Sequence, residues 1–272
     1  MRRAKLHEKA VQPGRPAPGN KAAASAVLKK IYTRLLKAFG PQGWWPVTPP
    51  GASAPAYTPG LYGPPTGAGI LEICAGAILT QNTSWKNVEK ALEALNKARL
   101  LSMEALAASR PPVLEKAVRS SGYYRQKARR LKEFCAKVLR EHPGGLEQWF
   151  LSSPLPALRS GLLSYKGIGP ETADSMVLYA AGKPSFVIDA YTRRIVSRVL
   201  AARDLSYDGL KRLFERGLPP DVKMYNEYHA LLVRLGKEFC RKTKPLCAAC
   251  PLAAVCAKTV FENSARHMDC ST

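Results

Sequence analysis

Three observations in the sequence predict an all-α fold. Between Ile70 and about Glu215, apolar residues recur at helical spacing in short segments divided by proline and glycine. The one β-branched alternating run, Ser185-Phe186-Val187-Ile188, is too short and isolated to build a sheet. No repeat period of the kind that marks a solenoid is present.

Taken in order, residues 1–24 are basic and rich in Ala, Pro and Gly without an apolar stripe, which predicts a flexible arm. Its six Lys/Arg by position 21 suit either a solubilising tail or an arm that trails along phosphates. Val27, Leu28, Ile31, Leu35 and Phe39 predict an amphipathic helix closed by Gly40-Pro41. Residues 46–69 form a proline-rich loop, since Val47 to Gly69 alone holds six prolines. Helical segments are then expected at 70–80, 86–98, 103–108, 112–120, 124–140, 146–151, 155–164, 170–182, 189–202 and 207–215. A further helix leads to a cysteine-rich loop, and residues 261–272 form a tail.

The chain has 272 residues with 42 Lys+Arg against 20 Asp+Glu, a formal charge of +22, and 46% hydrophobic residues. That apolar content is enough for packed cores and excludes a wholly disordered chain. Such a charge makes nucleic acid the first partner to expect and anionic membrane the second. The charge-free stretch from Ala38 to Leu71 is no membrane span, because it holds eight prolines and seven glycines. Met1-Arg2-Arg3 is followed by no apolar h-region, so an intracellular, reducing location is expected.

Leu162 to Asp174 carries the most information. Gly167-Ile168-Gly169 makes a tight turn, and Pro170 suits the first turn of a following helix. The turn leaves backbone N–H groups uncovered at a helix start, where a phosphate could be held without reading sequence; an ordinary tight connection would look the same. Asp189 follows 20 residues after Gly169, at the start of another helix, with Arg193 and Arg194 close behind. It could be a plain N-cap, or a carboxylate that stabilises a cationic sugar or activates water.

Cys240, Cys247, Cys250 and Cys256 lie within 17 positions as C-x6-C-x2-C-x5-C. Four thiolates suit an iron-sulfur cluster or tetrahedral zinc. Zinc ribbons usually pair two C-x2-C knuckles, and one is present. Arg241, Lys242 and Lys244 stand between the first two ligands, where they could contact a phosphate backbone or simply be solvated. Cys74 and Cys135 lie on apolar helix faces and, like Cys270, lack ligand spacing.

The hairpin, the aspartate and the cysteines together resemble the endonuclease III, or helix-hairpin-helix, superfamily of DNA base-excision glycosylases, over roughly Val27 to Lys258. Tyr165 stands where the pattern has a leucine. The resemblance implies a two-domain helix-hairpin-helix fold with an iron-sulfur cluster loop: a six-helix barrel at residues 70–183, and a cluster domain made of 25–45 with 184–260. It implies a four-iron four-sulfur cluster, with zinc as the alternative, and a catalytic Asp189 in the cleft facing the hairpin.

Bifunctional members carry a lysine two residues after the second hairpin glycine, and here that position is Glu171. A carboxylate forms no Schiff base, so the resemblance implies a monofunctional enzyme; Lys166 precedes the turn. Glu171 followed by a small residue, Ala173 and Asp174 resembles the 3-methyladenine glycosylases of the endonuclease III type. In that branch Trp44-Trp45-Pro46 and Trp85 would line the base pocket, and Gln81 would enter the minor groove. The implied partner is duplex DNA with a damaged base, engaged by a monomer. The rival readings are a mismatch-specific thymine, uracil or adenine glycosylase and a non-catalytic DNA-binding module. His229 reads as a packed histidine near the cluster.

Overall fold

The computed structural model describes residues 21–62, 66–201 and 205–257. Residues 1–20 of the expected arm, and the tail with Cys270, lie outside the described residues. The described residues form an all-helical protein, with a single isolated β-bridge between Val47 and Ala56.

The helices are α1 (Lys21–Phe39), α2 (Gly67–Leu79), α3 (Trp85–Lys97), α4 (Met103–Ala108), α5 (Pro111–Ala117), α6 (Tyr124–Glu141), α7 (Gly145–Ser152), α8 (Leu155–Leu163), α9 (Pro170–Ser175), α10 (Ala190–Val199), α11 (Tyr207–Gly217) and α12 (Val222–Glu238). The predicted segments recur with four corrections. Helix α1 takes in the end of the expected arm from Lys21, because the Ala22 to Ala26 run favours helix without needing an apolar stripe. The end of the proline-rich loop, Gly67 to Gly69, is the first turn of α2. Segment 112–120 is α5 followed by a 3₁₀ turn at Arg119–Ser121. Segment 170–182 is α9 running into a π turn at Met176–Ala180, closed by the Ala181 N–H on the Met176 carbonyl at 3.0 Å.

Helix starts follow local chemistry. Ser102, Asp189, Ser206 and Asp221 cap α4, α10, α11 and α12 through their side-chain oxygens. Helix α2 is apolar along almost its whole length and buried from Gly69 to Leu79, and it packs on α3, α6, α7, α9 and the π turn. Helix α1 packs instead on α11 and α12, while α10 packs on α12. One continuous apolar cluster runs through all of these elements.

Polar ties fix the connections. Asp174 is fully buried and accepts from Arg159 at 2.7 and 3.1 Å, Ser185 at 2.7 Å and Tyr207 at 2.7 Å, with Lys211 at 3.1 Å. Burial alone would raise its pKa, but these partners outweigh it and hold the carboxyl below its usual range. The proline-rich loop is anchored as well: buried Glu72 accepts the Thr48 N–H at 2.9 Å and the Thr48 hydroxyl at 2.6 Å. The loop is therefore joined to the core beside α2.

Candidate functional site

Asp189 ends the buried, irregular stretch after Pro184 and caps α10, its Oδ1 accepting the Thr192 N–H at 2.6 Å. The cap reading therefore holds, yet it uses one oxygen only. Oδ2 faces His229 Nε2 at 3.8 Å, and His229 Nδ1 meets the Tyr179 hydroxyl at 2.6 Å. His229 is thus packed, as the sequence reading has it, and its polar neighbours are Asp189 and Tyr179. It sits mid-way along α12, where α10 packs, two and a half turns or so before the loop begins. Burial pushes the His229 pKa down, against the Asp189 charge, so the ring is neutral near pH 7.

Glu171 lies in the first turn of α9. It keeps contact with solvent, but shielding by surrounding protein and, second, the nearby Asp189 carboxylate push its pKa up to about 7, against Arg193. Two carboxylates, Glu171 and Asp189, therefore share this region.

In the hairpin, Gly167 has φ +85°, a left-handed conformation that favours glycine, and a Cβ there would also press on the Arg130 side chain. Gly169 has φ −91° and precedes α9 in extended backbone. Gln81 is drawn to this turn from 86 residues away, its Nε2 donating to the Gly167 carbonyl at 3.0 Å and to the Thr172 hydroxyl at 3.1 Å. Its Oε1 accepts from the Arg130 guanidinium. Beside the hairpin lies a groove of about 370 Å³ whose lining includes Arg130, Lys137, Arg140, Lys166 and Glu133.

The expected aromatic residues meet. Trp85 has ring centroids of Trp44 and Trp45 at 4.7 and 5.0 Å, and Trp45 reaches Tyr179 at 5.2 Å. Trp85 is buried and donates to Glu89 at 2.9 Å; Trp44 and Trp45 are half-buried, and Pro46 is buried. Gly76 seats the Trp45 indole on α2, where a Cβ would come within 3.0 Å of the ring. The indole N–H groups of Trp44 and Trp45 are enclosed without a hydrogen-bond partner among the described residues.

Tyr179 and Lys127 are residues beside the site that the sequence pattern did not single out, and His229 was read only as a packed histidine. Lys127 is buried, and its ammonium donates to the Leu79 carbonyl at 2.8 Å and the Ser121 carbonyl at 2.5 Å. These carbonyls lie two residues before Gln81 and two before Tyr123. Tyr123 stands out at 71% exposure with φ 46°.

Cys240, Cys247, Cys250 and Cys256 are unpaired and line one small cavity of about 20 Å³ with Arg198, Phe239 and Leu252. No three His, Cys, Asp or Glu side chains among the described residues are arranged to hold a single metal ion. Two arginines of α10 clasp the loop: Arg194 donates to the carbonyls of Cys240 and Gly236 at 2.8 and 3.0 Å, and Arg198 to the Cys240 sulfur at 3.3 Å and the Arg241 carbonyl at 2.7 Å. Arg241, Lys242 and Lys244 are exposed on its outer side. Cys74 and Cys135 are buried. No helix among the described residues is long and apolar enough to cross a membrane.

Comparison with known proteins gives a consistent result. Residues 75–220 match the family model described as HhH-GPD superfamily base excision DNA repair protein. The candidate DNA repair glycosylase MJ1434 of Methanocaldococcus jannaschii is 40% identical over 231 residues, 85% of this chain and 96% of that protein. Endonuclease III of Thermotoga maritima is 28% identical over 68% of this chain and 82% of its own. Among solved structures, H. pylori 3-methyladenine DNA glycosylase bound to 1,N6-ethenoadenine superposes with a TM-score of 0.61 at 27% identity, covering 79% of this chain and 97% of that one.

Proposed function

The chain belongs to the HhH-GPD superfamily of base excision DNA repair proteins, as an endonuclease III-type DNA glycosylase, and from that membership we propose a monofunctional DNA N-glycosylase that hydrolyses the N-glycosidic bond of an extruded alkylated purine. The preferred lesion is of the 3-methyladenine kind. One observation carries the reading: Trp85, Trp45, Tyr179, His229 and Asp189 form an unbroken series of contacts from aromatic faces to a carboxylate.

An extruded base needs a stacking surface, and electron-rich rings favour a purine that alkylation has made cationic. Asp189 would face the sugar and stabilise its oxocarbenium-like transition state. A base that already carries positive charge leaves readily, so no strong general acid is required. Glu171 offers no amine for a Schiff base, which supports hydrolysis without strand cleavage. Gly167 and Gly169 would hold a backbone phosphate of duplex DNA, with Gln81 and the exposed Tyr123 entering the helix beside the lesion. The H. pylori relative, named for 3-methyladenine and holding an ethenoadenine, supports the choice of base.

The four cysteines fit a four-iron four-sulfur cluster better than zinc. Zinc ribbons usually pair two short C-x2-C knuckles, whereas this loop has one, and its four sulfurs line a single cavity. Bound there, the cluster would supply a four-point covalent tie for the loop. Arg194 and Arg198 hold that loop to α10, the same helix that Asp189 caps, with Arg241, Lys242 and Lys244 turned outward to phosphates. The division into a barrel domain and a cluster domain, and action as a monomer, belong to the same reading.

The test is a panel of duplexes, each with one lesion, incubated with the protein and then treated with alkali. Release of an alkylated purine, with strand breaks that appear only after alkali, supports the proposal. Release of thymine, uracil or adenine from mismatches would assign the rival specificity. Binding without any release would leave a non-catalytic module.

A further inference from the structure

Asp189 is held at one oxygen by its own helix and watched at the other by a histidine that the proposed chemistry does not use. His229 is buried, and its Nε2 has no hydrogen-bond partner among the described residues, with Asp189 Oδ2 3.8 Å away. A leucine or phenylalanine would fill this position between helices without leaving a polar atom unpaired, so packing alone does not account for an imidazole.

The tautomer follows from the two neighbours. The Tyr179 hydroxyl and Nδ1 are 2.6 Å apart, so one of them donates. If Nδ1 carried the proton, the Nε2 lone pair would face the Asp189 carboxylate, an acceptor against an acceptor. If Tyr179 donates to Nδ1, the proton lies on Nε2 and points at Oδ2. Only the second arrangement lets both contacts attract. The charges nearest this pair are Asp189 and, on the tyrosine side, Glu227.

We infer that His229 is a positioning residue for Asp189, fixed as its Nε2–H tautomer by Tyr179, and that Tyr179 links this grip to the aromatic pocket through Trp45. The inference rests on the reading of Asp189 as the catalytic carboxylate. With Oδ1 bound to the Thr192 N–H, rotation of the carboxylate is the remaining freedom, and a donor facing Oδ2 limits it. Tyr179 lies in the π turn with its ring 5.2 Å from Trp45 and 5.9 Å from His229, so a base stacked on the tryptophans would bear on the same contact series.

Two measurements decide it. The chain has four histidines, so ¹⁵N-histidine correlation spectra of the whole protein can be assigned by loss of one signal in His229→Gln. That signal should show the neutral Nε2–H form at neutral pH and shift toward a tautomer mixture in Tyr179→Phe. A protonated ring or an Nδ1–H form would overturn the inference, whether or not the protein releases any base.

In single-turnover base release, His229→Leu should be slower by about ten- to a hundredfold, the scale of a misplaced reacting group, with lesion-DNA affinity nearly unchanged. His229→Gln, which can present an N–H at the same place, should recover most of the rate. In an Asp189→Asn background, His229→Leu should cost nothing further, since it acts through that carboxylate. An equal loss in both backgrounds, or an active wild type matched by His229→Leu, overturns the inference alone. A wild type that releases no base from any duplex overturns the proposed function, and the tautomer spectrum still judges the histidine.

Discussion

Lys127 donates to the Leu79 carbonyl at 2.8 Å, and through the same ammonium to Ser121, so one buried cation joins the loop that carries Gln81 to the loop that carries Tyr123. Burial, with Arg130 nearby, brings its pKa down to about 8, which leaves most of it charged at pH 7. Lys127→Met would leave two enclosed carbonyls without a donor, a cost of about 2 to 4 kcal/mol. The urea midpoint should fall accordingly, and the residual folded enzyme should bind lesion duplex more weakly because the two loops lose their fixed spacing. A variant with unchanged stability and affinity would show that water replaces the ammonium without consequence.

Asp189→Asn tests the carboxylate directly. Asparagine caps a helix as well as aspartate does, so α10 should start unchanged and the thermal midpoint should move little. Base release from alkylated duplex should drop on the order of a hundredfold or more, the scale for a charge aimed at the transition state. Affinity for the same duplex should survive. Loss of affinity in step with rate would make Asp189 a structural cap only.

The parts of the site that were legible in the sequence are those written in short separations. Gly167 and Asp189 lie within 23 positions and the cysteines within 17, so their spacing exposed them, whereas Glu171 stood out only through the family resemblance. Tyr179 and His229 are 50 residues apart, and each looks like an ordinary member of an apolar helix. Their relation arises only when α12 packs behind α10 and the π turn slips one hydrogen bond, neither of which leaves a periodic trace. The tryptophans stood out as residue types, but the seat that Gly76 gives Trp45 depends on a loop folding back on α2. Residues Lys21 to Ala24 were missed for the opposite reason: alanine favours helix without making a stripe.

Anaerobically purified protein should be brown and hold close to four irons per chain, as ligation of a cubic cluster by four thiolates requires. One zinc and no iron would refute the cluster. Cys247→Ser should lower iron content and solubility before it alters base release by the molecules that remain loaded. Arg198→Ala should also lose iron, since that side chain touches the Cys240 sulfur and the Arg241 carbonyl.

Affinity for undamaged duplex should fall steeply with salt, roughly with the number of phosphates neutralised. Replacing Arg241, Lys242 and Lys244 together by Glu should flatten that dependence, because all three are exposed on the cysteine loop. If the slope is unchanged, binding is carried elsewhere, and the groove beside the hairpin with Arg130, Lys137, Arg140 and Lys166 becomes the surface to mutate next.

Glu171 gives a prediction with a definite sign in pH. Its folded pKa is raised to about 7, first by shielding from solvent and then by Asp189, while an unfolded glutamate titrates near about 4.3. Between those values the unfolded chain has released this proton and the folded protein still holds it, so the unfolded state binds fewer protons. The contribution of Glu171 to stability is therefore fully present below about pH 4.3 and declines as pH rises toward about 7. Urea midpoints of wild type and Glu171→Gln, compared at several pH values across that window, should show the variant gaining on the wild type as pH increases. A difference that stays constant with pH would mean that Glu171 titrates alike in both states. The same residue decides the covalent chemistry: borohydride should trap no complex between wild type and lesion DNA, and Glu171→Lys should introduce a trace of trapping without faster release of the alkylated base. Efficient trapping of the wild type would refute the monofunctional assignment and direct attention to Lys166, which lies exposed one residue before Gly167.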